Sequence, residues 1–532
     1  MTAPSAEPDP ILAAVTAGYA FEGPALELGG LLLDADRLSD ARVRIPLAML
    51  NRHGLVAGAT GTGKTKTLQL LAEQLSAHGV PVFAADIKGD LSGLSTPGEE
   101  NPKVSARAAS VGQQWAATGF PVEFLALGGE GTGIPLRATM TSFGPTLLAK
   151  VLGLNDTQES SLGLVFHYAD AAGLPLLDLA DLRAVVSFLT SEEGKGDLKD
   201  LGGLSSSTAG VILRELIGFA DQGADAFFGE PEFDTRDLLR TDASGLGLIS
   251  LVELPHLQDR PALFSTFLMW LLADLFHDLP ELGDPDKPSL VFFFDEAHLL
   301  FADASKDFLR AITQTVRLIR SKGVGVFFVT QSPTDVPDEI LAQLGSRVQH
   351  QLRAATPNDA KALKATVNTY PTSSYADLGT VILSLGIGEA VVTVMNERGA
   401  PTPVAWTRLR APESRMGPAD PAAMTASVAA SALTPKYAEA VDRDSARERL
   451  AARLEAGAAA AEKEKTASAG KPAPRTGEDH LDYPTGTTRA PSRKKQDAGT
   501  VQDILRSPMA RDLVRTAARE IVRGVFGVGR RR

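Results

Sequence analysis

HGLVAGATGTGKT, residues 53–65, is an apolar run that breaks into a glycine-rich turn and closes on a lysine and a threonine. Gly58, Ala59, Thr60, Gly61, Thr62, Gly63, Lys64 and Thr65 match the phosphate-loop pattern GxxxxGK[ST], and Lys66 follows directly. Chemistry explains the residue types. Gly58, Gly61 and Gly63 let the backbone take φ > 0 and curl its N–H groups around phosphate oxygens, while the helix that follows aims its positive end at them. Lys64 is expected on the β- and γ-phosphates and the Thr65 hydroxyl on Mg²⁺, so the implied ligands are ATP and Mg²⁺. KTKTLQLLAEQLSAHG, residues 64–79, continues with helical spacing of its apolar positions and ends at Gly79, a suitable cap.

Such a loop needs an acidic partner at the end of another apolar strand, and SLVFFFDE (289–296) supplies it. Asp295 would hold the Mg²⁺ hydration shell, and Glu296 would accept a proton from the attacking water as general base. GVGVFFVTQ (323–331) ends in Gln331, which either touches the γ-phosphate or the water or simply caps a strand. Arg320 and Arg347 are the leading candidates for an arginine that completes a neighbouring subunit's site, ahead of Arg310, Arg317 and Arg353; solvated surface arginine is the plainer alternative. VPVFAAD (80–86) leads into Asp86, Lys88 and Asp90 at a strand end, where ligands bind in open α/β sheets. Asp86 and Lys88 are therefore candidates for a supporting role near the nucleotide or a subunit boundary, with a structural turn as the alternative.

Around these motifs, apolar runs at 53–58, 80–86, 122–127, 246–254, 289–296, 323–331, 346–352 and 389–395 alternate with helical stretches, predicting an α/β core over 51–410 with a mainly parallel sheet. Several runs are apolar on both faces, as strands covered on both sides require. Residues 1–50 read as a short β or cap segment, 140–240 as a helical insertion and 411–463 as a helical extension. Residues 464–500 are rich in Pro, Gly, Ser and Thr and are expected to be a disordered linker. Residues 501–532 read as an amphipathic helix with a stripe of Arg511, Arg515, Arg519 and Arg523.

Composition removes other classes. Among 532 residues there is no cysteine, which excludes disulfides, thiolate metal sites and a cysteine nucleophile, and without HExxH no zinc site is expected. The 53 basic and 65 acidic side chains give −12, which argues against a surface that coats nucleic acid but leaves room for a basic channel. Lys361, Lys364, Lys195 and Lys199 could line one, though solvated faces explain them as well. The opening MTAPSAEPDP has neither a basic nor an apolar signal region, so a cytoplasmic protein is expected, either free or peripheral at the inner face of a membrane.

Taken together, NRHGLVAGATGTGKT (51–65), VPVFAADIKGDLSGL (80–94), LGLNDTQE (152–159), SLVFFFDEAHLLF (289–301), RLIRSKGVGVFFVTQSP (317–333), ERGAPTPV (397–404) and AREIVRGVFG (518–527) resemble the HerA/FtsK superfamily of P-loop ATPases. Within it the chain is most similar to the bacterial HerA-like helicase C-terminal-domain ATPases. The resemblance implies a RecA-like (ASCE) core, with Glu296 the catalytic glutamate and Gln331 the sensor, in a homo-hexameric ring that holds ATP between subunits. It also implies a translocated cargo, double-stranded DNA being the leading one. A secretion- or conjugation-like motor, held to an anionic membrane or a protein partner by the basic C-terminal helix, is the alternative. The roughly 50 residues before the loop are expected to be too short for the β-barrel of archaeal HerA. The letters DEAH at 295–298 mimic DEAH-box helicases, but the second tandem RecA-like domain of that class is not found.

Overall fold

The computed structural model describes residues 9–35, 37–127, 131–198, 202–254, 261–301 and 306–469. Residues 501–532, read above as a basic helix, lie outside them, as does the linker from residue 470 onward. The chain divides into two compact units, one up to Arg443 and one from Asp444.

Twelve strands of the first unit form one sheet: β1 (Ala25–Leu32), β2 (Leu38–Pro46), β3 (Gly54–Ala57), β4 (Val82–Asp86), β5 (Val122–Leu127), β6 (Ile134–Leu136), β7 (Ile249–Glu253), β8 (Leu290–Phe294), β9 (Val324–Thr330), β10 (Ser346–Gln349), β11 (Glu389–Thr393) and β12 (Ala405–Leu409). Their order is β2-β1-β12-β11-β10-β3-β9-β8-β4-β7-β5-β6. From β10 to β6 every neighbouring pair is parallel, and from β2 to β10 every pair is antiparallel. This is the mainly parallel α/β sheet that the strand pattern predicts. Residues 25–46, expected as small strands or a cap, join the same sheet as its antiparallel edge. Glycine permits that join: a Cβ on Gly29 would lie 2.0 Å from the Arg408 carbonyl oxygen of β12.

Alternation along the central strands explains the double cover. Val82 and Ala84 of β4, with Val291 and Phe293 of β8, pack with Leu68, Leu71 and Leu75 of the helix Lys64–Ala77. On the opposite face, the tilted rings of Phe83 and Phe292 lie 5.0 Å apart and Phe83 meets Phe267 of the helix Pro261–Asp278 at 6.3 Å. Apolar residues at both odd and even positions therefore have a helix to bury against. Between 140 and 240 the longer elements are helices Pro145–Val151, Asp156–Ala171, Leu179–Thr190 and Ser206–Asp221. In the second unit a helix runs Ala446–Ala469, continuing past residue 464, where the linker was expected to begin. No helix among the described residues is long and apolar enough to cross a membrane.

Candidate nucleotide site

All the motif residues sit beyond the carboxyl ends of the parallel strands, the edge where open α/β sheets bind ligands. The loop leaves β3 and is stitched to its neighbours on both sides. Gly58 N donates to Thr330 O of β9 at 3.2 Å, and Ala59 N to Gln351 O just past β10 at 2.8 Å. Gly58, Gly61 and Gly63 have φ of 157°, 82° and 115°, as expected from their place in the pattern. A Cβ on Gly58 would stand 2.5 Å from the Cβ of His350, so the loop closes onto that histidine only because the side chain is absent. Gly63 caps the helix Lys64–Ala77 with no side-chain hydrogen bond, which leaves its first-turn N–H groups without that competitor for an anion.

Lys64 is buried and folded back on the loop, donating to Gly58 O at 2.7 Å and Ala59 O at 3.2 Å. Burial and the nearby Lys88 charge lower its pKa, against the opposing pull of Glu296 and Asp295. Thr65 follows on the first turn. Lys66 donates to Gln69 Oε1 at 3.2 Å, and Gln69 in turn donates to Arg415 O at 2.9 Å.

Across the sheet, β9 lies between β3 and β8, so the Asp295–Glu296 pair faces the loop over one intervening strand. Asp295 accepts Glu296 N at 2.9 Å through Oδ1, while its Oδ2 is buried with no hydrogen-bond partner. Burial pushes its pKa up to about 6. A buried carboxylate oxygen left open beside a phosphate loop fits a divalent cation, and Mg²⁺ there would offset phosphate charge and polarise the terminal phosphoryl group. Glu296 is buried and has φ 48°, a left-handed conformation that few non-glycine residues adopt. Its Oε1 pairs with the Lys88 ammonium, and its Oε2 lies 3.2 Å from His298 Nδ1 without hydrogen-bonding geometry. Burial alone would raise the Glu296 pKa; the hydrogen bond and charge of Lys88, with His298 and Lys64, bring it below the ordinary value.

Asp86 is fully buried and accepts Lys88 N at 3.0 Å, Gly89 N at 2.8 Å and Leu91 N at 2.7 Å, so it ties the turn that carries Lys88. Burial raises its pKa to about 6. Gln331 is exposed immediately past β9. The arginines are elsewhere. Arg320 precedes the amino end of β9, at the far edge of the sheet, 3.3 Å from Asp284, and Arg347 pairs in register with Leu55 and donates to Thr369 O at 2.9 Å. Neither meets the loop of its own chain, whereas Arg353 lies 3.5 Å from Thr60 O.

Two groups escaped the sequence reading. His350 is fully buried, 2.8 Å from Thr67 Oγ1, and burial, with the charge of Lys64, lowers its pKa to about 4. Arg107 donates to Ile387 O at 2.8 Å and Gly388 O at 3.2 Å, and Gly388 N donates to Thr62 O of the loop at 3.1 Å. No spacing or pattern in the mostly polar run 346–352 singles out His350, and none marks Arg107.

Two curated relatives are similar to this chain, both described as DNA double-strand break repair helicase HerA. The protein of Sulfolobus acidocaldarius is 23% identical over 359 residues, 66% of this chain, and that of Sulfurisphaera tokodaii is 22% identical over 360. The chain spans 64% of the length of each. A solved structure of the plasmid coupling protein TrwB in complex with ADP and Mg²⁺ shares the fold with TM-score 0.50 at 18% identity, over 76% of this chain and 98% of that one. Residues 32–532 match the family described as Helicase HerA-like C-terminal, and the chain belongs to that family.

Proposed function

We propose that this chain is an Mg²⁺-dependent ATPase that works in a homo-hexameric ring and moves double-stranded DNA. The observation that carries the hydrolytic part is the convergence of an uncapped helix amino end, the buried Lys64 and the Asp295–Glu296 pair with an open Asp295 oxygen. The phosphates would lie on the loop amides and Lys64, with Thr65 and Asp295 toward Mg²⁺. Glu296 would take the proton of the attacking water, and Gln331 would orient that water or sense the terminal phosphate. Arg320, remote from its own loop, could reach a site only across a subunit boundary. Arg347 shares that requirement and already serves two carbonyls. The DNA part rests on family membership and on the names of the relatives.

ATP turnover measured with double-stranded DNA, single-stranded DNA and no DNA tests both parts. Glu296→Gln should bind ATP while turnover falls by about two orders of magnitude or more, the scale of a lost general base. Unchanged turnover would overturn the Glu296 assignment, and turnover indifferent to DNA would overturn the cargo. The second reading, a membrane-held motor, is favoured by the basic amphipathic pattern of 501–532 and is tested by flotation with anionic vesicles.

A further inference from the structure

The phosphate-loop pattern prescribes one lysine, yet this site has two. Lys88 comes from the turn after β4, whose backbone is held by three N–H bonds to Asp86. Its ammonium pairs with Glu296, the residue proposed to accept the proton of water. The ammonium occupies Oε1 of Glu296, an oxygen that would otherwise be open to water, so the pair as it stands blocks the base.

The two partners differ in freedom. The Glu296 side chain is 8% exposed and grows from a constrained backbone, whereas the Lys88 side chain is 39% exposed on a flexible four-carbon stem. If the pair opens, the lysine end moves. Lys64 and Lys88 also depress and support charge around one shared space: the Lys88 charge acts on Lys64, and both act on Glu296. Two cations over a loop with uncapped helical N–H groups make a receptor for more negative charge than the motif alone accommodates.

We propose that Lys88 recognises the terminal phosphate: its ammonium leaves Glu296 for an oxygen of the third phosphoryl group, which both discriminates triphosphate from diphosphate and frees the base. This rests on the ATPase reading above. With ADP there is no third group, and Lys88 stays on Glu296.

The test is binding of ADP and of a non-hydrolysable ATP analogue to the full-length chain, by calorimetry, with Lys88→Met, Lys88→Arg and Lys88→Met combined with Glu296→Gln. Lys88→Met should keep ADP affinity within about twofold and weaken the analogue by about tenfold or more, the scale of one charge-assisted hydrogen bond. Lys88→Arg should recover most of the preference, and the double variant should not. Equal weakening of both nucleotides would reduce Lys88 to a support of the turn. No change would make the ion pair merely structural, and recovery in the double variant would mean that Lys88 acts only by neutralising Glu296; each overturns the proposal. ADP binding by Lys88→Met shows that it is folded. Failure of the unsubstituted chain to bind either nucleotide would instead remove the ATPase reading, and this proposal with it.

Discussion

His53 illustrates what a single buried group contributes. It accepts Val326 N through Nδ1 at 3.1 Å, at φ 61°, and is 2% exposed. Burial, with the charge of Arg320, lowers its pKa from the ordinary 6.5 to about 4. A histidine whose folded pKa is depressed contributes stability that is full above 6.5 and is lost as pH falls toward 4. Glu73, Asp86 and Asp295, raised to about 7, 6 and 6, drift in the opposite sense over the same window, so only a difference isolates the histidine. His53→Asn, which tolerates the positive φ, should be less stable than the unsubstituted chain at pH 7 by urea denaturation, with the gap shrinking toward pH 4.5. A gap independent of pH would mean that His53 titrates normally. At this scale the sequence is readable where chemistry is consecutive. Residues 58–65 form their loop pattern from neighbours in the chain, whereas Lys88 meets Glu296 across 208 positions and Thr67 meets His350 across 283. No spacing rule reaches that far.

The helix Lys64–Ala77 does more than present Lys64. Glu73, two turns along it, is buried and accepts Glu413 N and Ser414 N, each at 2.9 Å, together with the Ser414 hydroxyl, while Gln69 donates to Arg415 O. The helix that carries the loop is thereby fastened to the segment following β12. Glu73→Ala would leave buried donors unpaired and should cost about 2–3 kcal/mol in urea denaturation. Loss below about 0.5 kcal/mol would mean that water replaces the carboxylate. The runs 122–127 and 323–331 were legible because each carries five apolar residues: the first is β5 itself, and the second contains β9. β6 has only three residues, and β12, AWTRL, mixes polar with apolar, so neither stood out. Strand direction was not legible at the antiparallel edge, where β11, EAVVT, uses the same apolar residues as the parallel strands.

For the whole molecule, charge distribution sets which polyions the chain can hold. Residues 506–532 carry eight arginines against Asp512 and Glu520, a balance of +6, so the preceding 505 residues sum to −18. An acidic body repels a polyanion at long range and can attract it only where cations are concentrated. The C-terminal segment carries its net +6 within 27 residues, and counterion release makes its contribution measurable. Each phosphate contact adds about 0.9 to the slope of log affinity against log salt on duplex DNA. A chain ending at residue 500 should therefore bind double-stranded DNA more weakly at low salt and with a shallower slope, while DNA-independent ATP turnover, proposed above to rest on residues that this truncation retains, is unchanged. Fluorescence anisotropy of both chains across a salt series reads the difference directly. Equal slopes would assign the phosphate contacts to the acidic body, and would leave the arginine stripe to a lipid surface or a protein partner.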